Sequence, residues 1–366
     1  MNNKKFIFAA GGTGGHLYPA IAVAENIKMQ MPDAEILFVG TKDKLEAKVV
    51  PAAGYKFKTI WISGFSRRLN IKNILFPIKL FTGFVQALII NIRFKPAVAI
   101  GAGAYVSGPV IWGASVMGAK VILLEQNSYP GITNRMLEKK ADEIHISFED
   151  SKQYFRNEEK LILTGNPVRI NIKLSDKIKA KNNLKLSPDK KVLLVLGGSL
   201  GAASINEAVA ANLKTLSENN IQIIWQTGKN YYEKYKNLAN ENIIIKSFIE
   251  DMGLVYSAAD AVLARAGATT IAETAFLGLP VIFVPSTNVA ANHQYKNAKS
   301  LTDKDAAILI EDKDLLKKMS GTAINLLSNE AVMQKLSENI KKFSKPDAAR
   351  EIAERAIKMT ELNLRK

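Results

Sequence analysis

Lys4 to Ile27 reads KKFIFAAGGTGGHLYPAIAVAENI, and Lys190 to Leu213 reads KKVLLVLGGSLGAASINEAVAANL. The two align without a gap at an offset of 186 residues, with Gly11 on Gly197, Gly12 on Gly198, Thr13 on Ser199 and Gly15 on Gly201. Each runs from two lysines through a short apolar segment into a glycine-rich turn with a hydroxyl, then into a helical pattern. That order of parts opens a nucleotide-binding βα unit. Two openings half a chain apart predict two similar domains facing one cleft. The copies differ at one chemical position: His16 in the first stands where the second has Ala202.

Working outward, short apolar runs alternate with helical stretches along the whole chain. Phe6–Ala10, Ile36–Val39, Ala97–Ile100, Val121–Leu124 and Ile144–Ile146 read as buried strands in the first half. Val192–Leu196, Ile221–Gln226, Ile243–Ile245, Ala261–Leu263 and Val281–Val284 repeat the theme in the second. Helices are predicted over Tyr18–Gln30, Ser204–Leu216 and Thr269–Leu277. Such alternation implies an α/β fold of two Rossmann-like domains, each a parallel sheet with helices on both faces. The boundary is placed at Gly165-Asn166-Pro167, giving domains 1–165 and 166–345, with a lysine-rich connection from Asn171 to Lys191. A last helix, from about Pro346 to Leu364, opens at a Pro-Asp start and could return to the first domain.

Composition narrows the class. The 366 residues suffice for two full cores. With no cysteine, disulfide and thiolate chemistry are excluded. The histidines His16, His145 and His293 show no metal-ligand spacing, so neither a metal nor another cofactor is expected. The apolar run at Phe6–Ala10 is too short for a signal peptide. Phe76–Ile92, interrupted by Lys79, Gln86 and Asn91, is read as not spanning a membrane. A net charge of +16 fits nucleic acid, an anionic membrane surface or an anionic substrate. Its distribution chooses among them. From Ala47 to Leu124 there is no Asp or Glu, while Lys72, Lys79 and Arg93 alternate with Leu75, Phe76, Phe81 and Phe84. Basic groups beside apolar ones suit a membrane interface, and no nucleic-acid-binding motif is visible.

The glycine turns lie where a parallel strand ends and a helix begins, so backbone N–H groups and the helix dipole can meet a phosphate. A tight turn alone would explain one such loop; two matched loops favour a ligand. A third loop, Arg265-Ala266-Gly267-Ala268-Thr269-Thr270-Ile271-Ala272-Glu273, follows a strand and opens a helix. Small residues and threonines there suit a diphosphate. Glu273 suits a pair of ribose hydroxyls, although an acid at that place also simply complements the dipole.

Together these residues resemble a known family. GGTGGHLYPA (Gly11–Ala20), GAGAYVSGP (Gly101–Pro109), LEQNSYPG (Leu124–Gly131), GNPVR (Gly165–Arg169), GGSLGA (Gly197–Ala202), SFIEDM (Ser247–Met252), RAGATTIAETAFLGLP (Arg265–Pro280) and HQYKNA (His293–Ala298) occur in the order found in the MurG family of glycosyltransferases. The resemblance implies the GT-B fold and inverting transfer of N-acetylglucosamine from UDP-GlcNAc to the C4 hydroxyl of the muramyl sugar of lipid I, giving lipid II. It implies work at the cytoplasmic face of the cell membrane, with residues from about Ile71 to Arg93 as a membrane-facing patch and a cell-wall synthesis complex as a possible partner. In the C-terminal domain the backbone of Ile249 would meet uracil and Glu273 the ribose. Ser199 with the helix start from Ala268 through Thr269, Thr270, Ile271 and Ala272 would hold the diphosphate, Arg169 would lie near it, and Gln294 would contact the sugar. Thr13, Gly14, Gly15 and Asn127 would close on the donor, while His16, Tyr105 and Asn127 would line the acceptor side.

The reaction needs a base, and an imidazole titrates near neutral pH. His16 is the candidate, with contact to the acceptor or a role in shaping the loop left open. Two departures stand out: Leu124 where His often precedes Glu-Gln-Asn, and His293 where a second Gln can precede Gln294. A relative that glycosylates diacylglycerol is the alternative; Ala104–Gly108 and Leu124–Asn127 favour the muramyl acceptor.

Overall fold

The computed structural model describes residues 4–64, 75–168, 172, 174–198, 200–289 and 292–362. Contacts divide the chain into two compact units, Met1–Arg169 with Lys345–Lys366, and Ile170–Ser344.

Among the described residues the first unit holds seven strands: β1 (Lys5–Ala9), β2 (Glu35–Gly40), β3 (Lys56–Thr59), β4 (Val98–Gly101), β5 (Lys120–Glu125), β6 (Glu143–Ile146) and β7 (Leu161–Ile162). They form one sheet in the order β3-β2-β1-β4-β5-β6-β7, every pairing parallel. Because both faces are covered, the central strands are apolar at successive positions rather than alternately polar. Phe6, Phe8, Ile36 and Phe38 enter one core, and Ile7, Ala9, Leu37 and Val39 the other. The Phe8 and Phe38 rings stack at 4.8 Å. Helix Gly14–Gln30 packs on the first of these faces together with the chain's last helix, Ala348–Leu362. Ile352, Ala353 and Ala356 of that last helix are buried at the three-and-four spacing of an amphipathic stripe.

The second unit holds β8 (Lys191–Leu196), β9 (Ile221–Gln226), β10 (Ile243–Lys246), β11 (Ala261–Ala264), β12 (Val281–Phe283) and β13 (Ile308–Leu309). Their order, β10-β9-β8-β11-β12-β13, is again all parallel and repeats the topology of the first sheet. The repeat extends to backbone angles: Gly12 has φ 84° and its counterpart Gly198 has φ 83°, a region that favours glycine.

Beyond that glycine the copies part. The first helix begins at Gly14, whereas the second begins only at Ala203. His16 therefore lies within the first turn of its helix, and Ala202 precedes its own. The physical reason is Gly201, at φ 91°, whose Cβ would stand 2.2 Å from the carbonyl oxygen of Thr227. The second turn is pressed against the Thr227–Gly228 backbone before its helix can start.

Three strands were not expected from the sequence. β3 reads Lys-Phe-Lys-Thr at a sheet edge, where alternating charge blunts further pairing but hides the strand from an apolar search. β7 and β13 are two residues each.

Candidate active site

In the first unit three segments meet at the carboxyl ends of β1, β4 and β5, the place where ligands bind in open parallel sheets. The first is the glycine turn and the start of helix Gly14–Gln30. Thr13 is exposed; its carbonyl accepts from the amides of His16 and Leu17, and its hydroxyl makes no cap. The turn is held from below by Glu46, whose side chain is wholly buried on helix Glu46–Ala52. One Glu46 oxygen accepts from the Gly12 amide at 3.0 Å; the other accepts from the Thr41 amide at 3.0 Å and its hydroxyl at 2.7 Å. A Cβ on Gly11 would stand 2.6 Å from that carboxyl group, so the second function of glycine here is close approach.

The second segment is the turn after β4. Gly103 has φ 88°, and a Cβ there would come within 3.0 Å of the His16 ring. Ser107 donates its hydroxyl to the Ala9 carbonyl at 2.8 Å, tying this turn to the end of β1. Tyr105 is half-buried; burial and the nearby Glu46 carboxyl group push its phenol up from the usual value, against a hydrogen bond with Thr41.

The third segment is Glu125–Gly131. Glu125 is buried and accepts four N–H groups: the Asn127 amide at 3.0 Å and side chain at 3.4 Å on one oxygen, the Gly131 amide at 3.0 Å and Asn134 side chain at 2.8 Å on the other. Burial pushes its carboxyl pKa up and those donors oppose the rise. Asn127 thus stands on a loop organised by one carboxyl group. Beside it, the Gln126 oxygen lies 3.0 Å from Nδ1 of His16. Burial pulls the His16 pKa below 6.5, with contacts to Gln126 and the Ala102 carbonyl acting in the opposite direction. His16 is therefore neutral at neutral pH, the form a general base needs.

In the second unit the remaining described candidates follow β10, β11 and β12 in sequence: Ile249 after β10, the helix start at Ala268 after β11 and Gln294 after β12. Helix Ala268–Leu277 starts after Gly267 with no side-chain cap. Ala268 and Ile271 are buried, Thr270, Ala272 and Glu273 partly so. The Ile271 amide bonds the Gly267 carbonyl. The hydroxyl of Thr269 is buried and, among the described residues, has no hydrogen-bond partner. Glu273 accepts from the hydroxyl of the buried Tyr256 at 2.8 Å, and burial pushes that phenol well up, so it stays a donor. The Ile249 amide donates to the Gln226 oxygen at 2.9 Å, while the Gln226 NH2 group donates to the Gly198 carbonyl at 3.1 Å. One carboxamide thus joins the Gly198 turn to the Ile249 loop. Gln294 accepts from the Ser286 amide at 2.9 Å. Arg265 braces its loop from the side, donating to the Val284 and Pro285 carbonyls, to Asp312 at 2.6 Å and to Ser204 at 2.8 Å.

Arg169 and Ser199 lie outside the described residues, as do residues 71–74 of the expected membrane-facing patch. Among the described residues no three His, Asp or Glu side chains gather as metal ligands. Sequence reasoning assigned no role to Glu46, Glu125, Gln126, Tyr256 or Gln226. A signal existed for two of them, since Glu46 and Glu125 are the acids that bracket the acid-free run.

Comparison with known proteins bears on the same elements. The family model described as "Glycosyltransferase family 28 N-terminal domain" matches residues 6–146, and that described as "Glycosyltransferase family 28 C-terminal domain" matches residues 192–352. A Flavobacterium psychrophilum protein named UDP-N-acetylglucosamine–N-acetylmuramyl-(pentapeptide) pyrophosphoryl-undecaprenol N-acetylglucosamine transferase is 46% identical over 364 residues, covering 99% of each chain. A Christiangramia forsetii protein of the same name is 43% identical, covering 97% of each. The crystal structure of Acinetobacter baumannii MurG superposes with a TM-score of 0.76 at 27% identity, covering 97% of this chain and 99% of that one. Both glycine turns, the Glu273 helix and, to within a residue, every strand but β7 fall inside the matched ranges, and the chain belongs to glycosyltransferase family 28, with the α/β architecture of the GT-B enzymes.

Proposed function

We propose that this chain transfers N-acetylglucosamine from UDP-GlcNAc to the C4 hydroxyl of the N-acetylmuramyl sugar of lipid I, releasing UDP and giving lipid II. The observation that carries the reading is near-full-length similarity to transferases of that name. The acceptor hydroxyl attacks the anomeric carbon, the bond to the diphosphate oxygen breaks, and the configuration inverts. His16 takes the hydroxyl proton. Tyr105 and Asn127 line the acceptor, and Thr13, Gly14 and Gly15 offer backbone to the sugar being transferred.

In the second unit Glu273, oriented by Tyr256, receives the ribose hydroxyls. Gln294 offers its NH2 group to the sugar, because its oxygen holds Ser286. Ile249 meets uracil through its backbone. Departing UDP gathers charge at the start of helix Ala268–Leu277, where the partial positive charge and the Thr269 hydroxyl favour an anion, with Ser199 and Arg169 assigned to the same diphosphate.

Radiolabel transfer from UDP-GlcNAc to a short-chain lipid I analogue, with diacylglycerol as competitor, tests the reading. Transfer to the analogue alone is expected; transfer only to diacylglycerol overturns the acceptor assignment and keeps the donor site. A pH prediction follows from His16. Its pKa is lowered from 6.5, so it remains unprotonated, and kcat/KM remains high, as pH falls to that value. The acidic limb is expected below pH 6.5; a limb at or above pH 7 is incompatible with His16 as the base.

The same reading places the first unit on the cytoplasmic face of the membrane. Helix Phe76–Phe94 is long and apolar enough to cross a membrane by composition alone. Its Gly83, Ala87 and Asn91 side is buried, and Asn91 donates to the Val110 carbonyl of the neighbouring helix Ala104–Val116 at 3.1 Å. Its other side exposes Ile78, Phe81, Val85, Leu88, Ile89 and Ile92, with Phe81 at 73%. Phe84 instead packs edge-on to Trp112 at 5.7 Å. One docked side and one bare apolar side with Lys79 and Arg93 suit a helix lying in the headgroup region. Sedimentation with anionic vesicles should fall about tenfold or more for Phe81→Asp with Ile89→Asp, and Lys79→Glu should weaken binding mainly at low salt. Unchanged sedimentation of both variants would remove this patch from membrane attachment.

A further inference from the structure

We propose that Gln126 is a positioning residue that sets the tautomer of His16, holding the proton on Nδ1 and leaving Nε2 as the basic nitrogen. The argument starts from the carboxamide itself. Its nitrogen faces two carbonyl oxygens, those of Ala102 at 3.1 Å and Leu124 at 3.3 Å. Carbonyls only accept, so this end of Gln126 must be the NH2 group and the opposite end must be oxygen. That oxygen lies 3.0 Å from Nδ1 of His16. An oxygen without a hydrogen cannot donate, so Nδ1 must. A neutral imidazole carries one N–H, and with it on Nδ1 the lone pair is on Nε2.

The surroundings hold this arrangement in place. Gly103 lets the backbone lie against the ring, since a Cβ there would come within 3.0 Å of Cε1 and Nδ1. Leu124, whose carbonyl anchors Gln126, is also held by Asn134 at 2.9 Å. The titratable groups that help hold the three segments together include Glu46, Tyr105 and Glu125. Both carboxyl groups face amide donors, and the Tyr105 phenol pairs with Thr41. Gln126 is thus the neutral acceptor in the orienting position that a carboxylate holds in hydrolase triads. A neutral acceptor fixes the tautomer without strongly raising the basicity of the ring.

The proposal rests on the reading of His16 as base, but its first test does not. In the full-length protein labelled with 15N-histidine, long-range 1H–15N correlation distinguishes the tautomers, and His16→Gln identifies the His16 signal among the three histidines. Nδ1–H at pH 8 is expected; Nε2–H in the wild-type protein overturns the proposal without need of any Gln126 variant. Gln126→Glu should raise the His16 midpoint by about one pH unit or more, and the acidic limb of kcat/KM should move with it. Gln126→Leu should give mixed tautomers and lower kcat by about tenfold or more, with the KM for UDP-GlcNAc unchanged. A midpoint unmoved in a folded Gln126→Glu protein also overturns the proposal. If the midpoint moves and the kinetic limb stays, the tautomer assignment stands and the base reading falls.

Discussion

Replacing His16 by alanine is expected to lower kcat for glycosyl transfer about 100-fold or more, the usual contribution of a positioned general base. The size follows from what the side chain supplies. Burial keeps the imidazole neutral, and Gln126 occupies Nδ1, so one basic nitrogen is presented at the head of helix Gly14–Gln30. Alanine at the same place leaves water as proton acceptor. The contacts to the UDP moiety are assigned to the second unit and those of the first unit to the transferred sugar are backbone, so the KM for UDP-GlcNAc should hardly change. The split between constants decides among the roles for His16. Were it a contact for the acceptor diphosphate, the acceptor KM would rise and kcat would survive. Turnover within about threefold of wild type would end the base assignment.

The largest effect on stability is expected at Glu46. Replacing it by leucine leaves the Gly12 amide, the Thr41 amide and the Thr41 hydroxyl without their acceptor in a buried setting. Each orphaned donor costs about 1–3 kcal/mol, so the first unit should lose about 3 kcal/mol or more. For a unit of this size that lowers its melting temperature by about 6–12 °C. Glu46→Gln should be milder. Its oxygen can still accept from Thr41, while its NH2 group then opposes the Gly12 amide, so the glycine turn rather than the whole unit is disturbed. Amide hydrogen exchange read by peptide separates the cases: Glu46→Leu should raise exchange across β1 and β2, and Glu46→Gln chiefly at residues 10–17. Wild-type melting of Glu46→Leu would show that water or a rearranged turn replaces the carboxyl group.

Much of this was legible in the chain because parallel βα units leave strong local marks. Strands buried on both faces must be apolar at every position, so β1, β8 and β9 could be located to within a residue. Gly12 and Gly198 were visible because only a residue without Cβ adopts their backbone angles easily. Edge strands were less legible, since β3 is held by its neighbour more than by its own composition. The gapless alignment of the two openings overstated their likeness, because the shape of the second turn depends on Thr227, far away in sequence. Assignments at Arg169, Ser199 and residues 71–74 lie outside the described residues and rest on the sequence.

By itself the sequence determined two α/β units of one topology, the glycine turns at their strand ends, the family and the candidate base, because each is written in local pattern or in residue type. Only the tertiary structure decided what holds those residues. Glu46 reaches Gly12 across 34 positions and Gln126 reaches His16 across 110. Tyr256 meets Glu273 from a separate helix. A buried polar group must find a partner wherever folding places one. Those partnerships depend on which strand ends lie side by side, and no spacing along the chain records that.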